Sequence, residues 1–387
     1  MFCFLRKTIP FRRLIVFGTI SPETILPELL CFQRQWLSAR YCNSVASNRH
    51  SFTVSYLIDT CGFSPQEAAS VSKLVSFESR DKPDLVINFF KSQGLTKPQI
   101  HRFVRELPRL LRSDPQKTLV PKIEFLVSNG VSISDIPKLL CSCPSIMVRS
   151  LSKQIIPSFH FFRDLFQSDA KLIQVVTNFS GILLDLNSRS MPNMKLLREA
   201  GVPESNVIKL LQYFPSVITK SCVRFEEIVK EVKELGVNPG QVNFVLAVSV
   251  LASASKSTWG KKVDVYKKWG WSEDDILAAF RKYPFIMKAS KDKIDAVMDF
   301  LVNKLGCESS IVAKYPGVIS FSMKRRFLPR GAVIKILLSK GLVQKESLPL
   351  LFMYPESTFL RRFIMSNLKE EATQLLKLYQ GKLKLAR

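Results

Sequence analysis

The residues from Pro203 to Gly236 read PESNVIKLLQYFPSVITKSCVRFEEIVKEVKELG and form one complete structural unit. Four apolar residues have the spacing of a single helix face: Val207, Leu210, Leu211 and Phe214. Pro215 ends that helix, because proline lacks a backbone N–H and disfavours the helical conformation of the residue before it. Ser221 can cap a second amphipathic helix, and Gly236 can close it in the left-handed conformation. The stretch therefore predicts two short helices with a proline break between them.

This unit recurs at intervals of about 35 residues. The proline followed by aliphatic residues returns at Pro108, Pro144, Pro284 and Pro316, more weakly at Pro355, and in degenerate form at Ser180 and near Ser249. The closing glycine keeps the same interval, with one double step of 71 residues: Gly94, Gly130, Gly201, Gly236, Gly270, Gly306 and Gly341. A second proline follows the first by 13 residues, or Ser180 by 12: Pro121, Pro157, Pro192 and Pro329. Three landmarks in one register predict a helical repeat array.

The fold class follows from this periodicity. The alternation of apolar and polar residues that is typical of strands is missing, so we expect an all-α chain. A solenoid grows by adding units, and the 387 residues therefore set the number of repeats. The apolar run Val242–Ala254 is too short to span a bilayer, and we interpret it as the buried first helix of the degenerate unit near Ser249. We predict a superhelical solenoid over residues 50–365, closed by a basic capping helix over residues 366–387.

The N-terminal segment differs in composition from the repeats. Residues 1–50 contain seven Arg or Lys against two acidic residues, interleaved with apolar side chains. An arginine-rich, acid-poor and amphipathic segment is typical of an organellar transit peptide. We therefore predict a transit peptide over residues 1–45 and a mature protein that begins between about Cys42 and His50, the alternative being a basic N-terminal tail.

The ordered set of landmarks resembles the mitochondrial transcription termination factor (mTERF) family, in its plant branch. The best copies are Leu107–Gly130 and Tyr315–Pro329, and the resemblance covers roughly residues 50–365. It implies a curved right-handed superhelix whose repeats each hold two α-helices and a short 3₁₀ segment. It also implies import into mitochondria or chloroplasts, and nucleic-acid binding along the concave face. The rival interpretation is the pentatricopeptide repeat, an RNA-binding solenoid of the same period, which does not place two prolines in this way.

Basic residues recur at equivalent positions of the repeats. The whole chain carries a net charge of +25, and the 50 basic and 30 acidic residues after residue 50 leave +20. The first basic column lies nine residues after the first proline, in six of seven countable units: Lys117, Lys153, Arg189, Arg224, Lys293 and Arg325. The second basic column follows the proline by four to six residues: Arg112, Arg149, Lys220, Lys288 and Arg361. Equivalent positions of a solenoid form a stripe, and a cationic stripe suits a phosphate backbone.

The alternative is that these cations are ordinary solvated surface charge. A cation near a helix N-terminus is mildly unfavourable because of the helix dipole, so helix stability is a poor reason for repeating it. The stripe is therefore interpreted as a nucleic-acid-binding surface.

The sequence does not favour catalysis or a bound cofactor. The three histidines have no metal-ligand spacing, and Cys141 and Cys143 lack the second pair that a zinc site needs. Phosphate-binding loops of the Walker type and nucleophile elbows are missing from the sequence. We expect no enzymatic activity, no metal and no cofactor.

The sequence thus predicts a regulator of organellar gene expression that binds nucleic acid, with double-stranded DNA preferred, in transcription termination or regulation. RNA binding in intron splicing or transcript maturation is the alternative, and a protein–protein scaffold is a second one. We expect the mitochondrial matrix, with the chloroplast as alternative, a monomer, and no membrane partner. Other organellar gene-expression proteins are further candidate partners.

Overall fold

The computed structural model describes residues 52–366 and 369–384. Within these ranges the chain is helical, with turns between the helices and without strands, so the prediction of an all-α solenoid of roughly 35-residue repeats is confirmed. The predicted transit peptide over residues 1–45 lies outside the described residues. Within the described residues, a helix over residues 52–61 precedes nine repeats, which we number along the chain.

Each repeat contains a first and a second helix. The first helices of repeats 1 to 9 are Pro65–Val71, Lys97–Glu106, Ile136–Ser142, Asp169–Asn178, Glu204–Tyr213, Val242–Ser253, Glu273–Lys282, Ser309–Lys314 and Leu348–Met353. The second helices of repeats 1 to 8 are Asp81–Ser92, Val120–Ser128, Ile156–Phe166, Met191–Glu199, Cys222–Glu234, Lys256–Lys268, Lys291–Met298 and Leu328–Ser339. Repeat 9 has only the short helix Glu356–Phe359, which continues into Leu360–Ile364. Lys369–Lys384 is the last helix.

A short segment connects the two helices in most repeats. It is 3₁₀-helical in repeats 2, 3, 4, 7 and 8: Pro108–Arg112, Pro144–Val148, Ser180–Leu183, Pro284–Lys288 and Pro316–Ser320. In repeat 5 it is a single α-helical turn, Pro215–Ile218. Further turns adjoin the second helices at Pro115–Thr118, Leu151–Ile155, Leu186–Ser190, Asp299–Lys304 and Met323–Phe327, and the first helices at Ile133–Asp135 and Lys345–Ser347.

Several helices begin where local side chains satisfy the free backbone N–H groups. The Ser64 hydroxyl accepts a hydrogen bond from the Glu67 backbone N–H, and the Glu67 carboxylate accepts one from the Ser64 N–H in return. The same reciprocal arrangement joins Ser272 to Asp275. These two helix starts are therefore made by hydrogen bonds within four residues.

The closing residue of each of repeats 1 to 8 has a left-handed backbone. All seven glycines that keep the 35-residue interval have positive φ angles between 70° and 97°. In the double step, between Gly130 and Gly201, the left-handed position is taken by Gln167, with φ 47°. It is the one residue other than glycine with a positive φ in the described part of the chain. The double step is thus a substitution of the glycine, and repeat 3 keeps its normal length.

Elements of the same kind pack against each other in successive repeats, and their apolar faces form one continuous core. Repeat 6 departs from this arrangement because its two helices are joined directly, without a short segment. Its first helix is the predicted buried apolar run, with Phe244 and Val248 at 0 % exposure. As a result, Phe214 of repeat 5 contacts Phe285 of repeat 7, with ring centroids 5.9 Å apart.

The last helix packs on the second helix of repeat 8. Its Tyr379 is buried and donates a hydrogen bond to the Glu356 carboxylate of repeat 9. Glu356 in turn pairs with the fully buried Arg330. The final helix is therefore joined to repeats 8 and 9 through one chain of polar contacts.

Candidate nucleic-acid interface

The first basic column lies at the start of the second helices. In repeats 3, 7 and 8 a serine three residues earlier caps the helix, and its hydroxyl accepts a hydrogen bond from the backbone N–H of Lys153, Lys293 or Arg325 at 3.2 to 3.3 Å. The same contact in repeat 6 joins Ser255 to Thr258 at 3.1 Å. Thr258 therefore occupies the one column position that lacks a cation, and the cap fixes the position in every one of these repeats.

The cations of the first basic column differ in what they contact. The Arg189 guanidinium donates to the Thr219 carbonyl at 3.2 Å, and the Lys293 ammonium donates to the Ser320 carbonyl at 2.6 Å. Both acceptors lie at the end of the short segment of the next repeat. Arg224 pairs with Glu227 at 2.9 Å, and Lys117 lies 4.0 Å from Asp114.

Lys153 and Arg325 are both exposed. Their charged groups have no hydrogen-bond or ion-pair partner in the part of the chain that the structure describes. Within the first basic column, the charged groups of these two residues are therefore the most available to bind a ligand.

The second basic column follows the short segments, and each of its residues is exposed or half-buried: Arg112, Arg149, Lys220, Lys288 and Arg361. The Lys288 ammonium lies 4.5 Å from the ring centroid of Phe214 and 5.0 Å from that of Phe285. Partial burial lowers the pKa of Lys288. Because repeat 6 lacks a short segment, Phe214 of repeat 5 and Phe285 of repeat 7 are neighbours. Lys288 makes cation–π contacts with both of these rings.

The two basic columns approach each other between repeats. Asp185 lies 3.9 Å from Arg149 of the second column and 3.8 Å from Arg189 of the first. Lys117 and Arg149 line one cleft of about 550 Å³ between repeats 2 and 3. Arg149 therefore lies near two residues of the first basic column: Lys117, which lines the same cleft, and Arg189, which shares Asp185 with it.

A third set of polar side chains, which the sequence interpretation missed, joins the repeats. These residues lie on the second helices and donate to backbone carbonyls at the short segment of the next repeat, or to the last turn of the first helix in repeat 9: Lys122, Asn193, Lys262 and Arg330. Asn193, for example, donates to Ile218 O at 2.8 Å and to Lys220 O at 2.9 Å. In three of the four cases the residue directly follows the second proline, which is a signal that the sequence carries.

Within residues 52–366 and 369–384, no group of three His, Cys, Asp or Glu side chains could hold a metal ion. The cysteines in these ranges are free thiols. None of the helices described is long and apolar enough to cross a membrane.

Comparison with known proteins identifies the repeat. The sequence model of the mTERF family matches residues 87–306 and 170–360, which together cover most of the chain. The chain is 19 % identical over 232 residues to "Transcription termination factor MTERF8, chloroplastic" of Arabidopsis thaliana, covering 58 % of this chain and 45 % of that protein. It is also 19 % identical over 278 residues to "Transcription termination factor MTERF15, mitochondrial" of the same plant, covering 70 % and 60 %.

The chain thus spans about half the length of these curated relatives, both of which are plant organellar proteins. The family match extends from repeat 1 into repeat 9 and includes every residue of both basic columns except Arg361. The chain therefore belongs to the mTERF family, in its plant organellar branch.

Proposed function

We propose that this protein binds nucleic acid, with double-stranded DNA preferred, and regulates organellar gene expression in transcription termination or regulation. The observation that carries the proposal is the repetition of a cation at one solvent-accessible position, near the start of the second helix, in six repeats. Phosphates along a nucleic-acid backbone are regularly spaced, so a repeated cation matches them better than it matches a compact ligand. The names of both relatives as transcription termination factors support the same function.

The two basic columns neutralise phosphates and position the nucleic acid along the repeats. They carry no sequence information themselves, because phosphate contacts set the register and base contacts set specificity. We place the bound strand on the concave face of the superhelix and the protein in the mitochondrial matrix, with the chloroplast as the alternative compartment. We also propose that residues 1–45 are a transit peptide and that the last helix caps the repeat array.

The test is quantitative binding of the full chain to a 25-base-pair duplex and to a matched single-stranded RNA across a salt series. The double variant Lys153→Ala/Arg325→Ala removes the two cations of the first basic column whose charged groups have no partner among the described residues. Each lost duplex contact lowers the slope of log K against log salt by about 0.9, so the expected decrease is about 1.8.

The matched control removes two exposed lysines of second helices that lie outside both columns, Lys195→Ala/Lys230→Ala. Both are 77 % exposed and each pairs with a glutamate one turn away. It changes the net charge equally, and the slope should stay close to that of the wild type. If both double variants have the same slope of log K against log salt, the basic columns are not the binding surface.

The choice of nucleic acid is an outcome of the same experiment. Tighter binding to the duplex supports a role in transcription. Tighter binding to RNA would move the protein to intron splicing or transcript maturation. Binding to neither would overturn the proposal and leave the scaffold interpretation.

A further inference from the structure

The cleft between repeats 2 and 3 is strongly cationic. Its volume is about 550 Å³, and four basic side chains line it: Arg109, Lys117, Lys122 and Arg149. No acidic side chain is among its lining residues; the nearest carboxylates in contact with those cations are Asp114, 4.0 Å from Lys117, and Asp185, 3.9 Å from Arg149. The remaining walls are apolar side chains and small hydroxyl groups.

Lys122 is the unusual member of this cleft because it is only 6 % exposed. Its ammonium donates one hydrogen bond, to the Met147 carbonyl, and has no ion-pair partner among the residues described. An ammonium has three N–H donors, so two of them are not used. A buried charge without a counter-ion is unfavourable, and burial accordingly lowers the pKa of Lys122.

The next cleft along the solenoid provides an internal comparison. It lies between repeats 3 and 4, has about 250 Å³, and is built from the equivalent positions, with Pro157 in the place of Pro121. There Lys153 corresponds to Lys117, but two of the other three cations, Lys122 and Arg149, are replaced. Ser158 occupies the position of Lys122, and Asp185 occupies that of Arg149. The same walls therefore enclose one cation and one carboxylate, so the concentration of positive charge distinguishes the first cleft from its neighbour.

We infer that the cleft between repeats 2 and 3 is a phosphate-binding pocket, which receives one backbone phosphate of the bound nucleic acid against Lys122, with Arg149, Lys117 and Arg109 around it. This inference rests on the proposed function and assigns one of its phosphates to a defined place. Lys122 donates its unused N–H groups to the phosphate oxygens, and the anion offsets the desolvation of the ammonium. The equivalent cleft between repeats 3 and 4 does not bind a phosphate in this way, because Asp185 repels it.

The test is Lys122→Gln in the full chain, with Lys262→Gln as the matched control. Lys262 makes the same bond to the next repeat, through its ammonium to the Met287 carbonyl, and it loses the same charge. A glutamine amide can replace the structural hydrogen bond in both variants, as the Asn193 amide makes it in repeat 4. A 25-base-pair duplex, or the matched single-stranded RNA if that binds more tightly, is titrated with each variant across a salt series.

Lys122→Gln should weaken binding by about tenfold, the value of a charge-assisted hydrogen bond, and lower the salt slope by about 0.9 on the duplex. Lys262→Gln should change both by much less. Arg149→Gln, on the more exposed rim, gives a second reading if Lys122→Gln fails to fold, and it should lower the slope equally.

Suppose that the wild type binds but that Lys122→Gln and Lys262→Gln weaken binding equally, or that Arg149→Gln leaves the salt slope unchanged. Either result would overturn the phosphate-binding pocket and leave the proposed function intact. Absence of binding by the wild type to either nucleic acid would instead overturn the proposed function.

Discussion

Arg330 provides the sharpest prediction about stability, because it is a fully buried cation in the closing repeats. The first helix of repeat 9 ends at Met353, and the carbonyls of its last turn have no partner within the helix. The Arg330 guanidinium donates to Leu351 O at 3.0 Å and to Phe352 O at 3.2 Å. It also pairs with Glu356 at 3.0 Å. Arg330 therefore supplies, from a different repeat, donors for the carbonyls of Leu351 and Phe352 at the end of this helix, where Arg326 also donates to Phe352 O at 3.3 Å.

The change Arg330→Met keeps an unbranched apolar side chain at this position and removes all of these contacts. Breaking a buried ion pair costs about 3–5 kcal/mol. Glu356 is half-exposed and can be hydrated after the change, so the lower end of that range applies. The cation–π contact with Phe359, at 4.4 Å, is lost as well. We expect a decrease of about 3 kcal/mol in the free energy of unfolding of repeats 8 and 9. Arg330→Lys should lose part of this, since one ammonium cannot span the same acceptors.

The assay is hydrogen exchange of residues 348–364 and 369–384, because a solenoid can unfold locally without a single global transition. Exchange in these segments should become faster by a factor of about 100, which corresponds to roughly 3 kcal/mol. Lys335→Met, on the same helix and exposed, is the control and should leave exchange unchanged. Equal protection of the Arg330→Met and wild-type segments would refute the capping argument.

Two further changes test the closing elements. Gln167→Gly should raise the free energy of unfolding by about 1 kcal/mol, because a left-handed conformation costs a side-chain-bearing residue about 1–2 kcal/mol; denaturant unfolding measures it, and a loss of stability would contradict it. Burial and the bond to Glu356 raise the pKa of Tyr379 to about 12, above about 10 for an unfolded tyrosine. The protonated hydroxyl thus stabilises the last helix fully below about pH 10, and this contribution disappears as the pH rises towards 12. When tyrosinate absorbance is followed against pH, the Tyr379→Phe variant should show one fewer tyrosine titrating near pH 12 than the wild type. An unchanged titration curve would contradict the assignment.

The sequence contained enough information to predict the repeat and its helix boundaries. The proline break, the caps and the closing glycines act within a few residues of themselves, so their effect can be worked out from local rules. Ser64 with Glu67 and Gly236 do what their residue types predict. The same rules predicted that Phe214 would follow the last turn of a helix, and it does.

Contacts between repeats could not be predicted in the same way. Lys122 and Met147 are 25 residues apart, and their bond depends on how one repeat is placed on the next. Gln167 was missed for a different reason, since a left-handed glutamine has no sequence signature, although the interval of 71 residues between Gly130 and Gly201 marked the position. Residue type alone also could not separate Lys293, which donates to a carbonyl of the next repeat, from Arg325, which does not.

These differences decide how a charge column should be interpreted in a solenoid. The repeat fixes where a side chain is placed, since Lys122 and Ser158 occupy the same position in successive clefts. It does not fix the chemistry, because a cation at that position can join two repeats, bind a ligand, or do both. A uniform stripe would predict equal losses on replacement of every cation. The contacts seen here predict unequal ones, with the larger losses at Lys153 and Arg325, whose charges have no partner within the described residues, and smaller losses at Arg189 and Lys293, whose N–H groups already bind carbonyls.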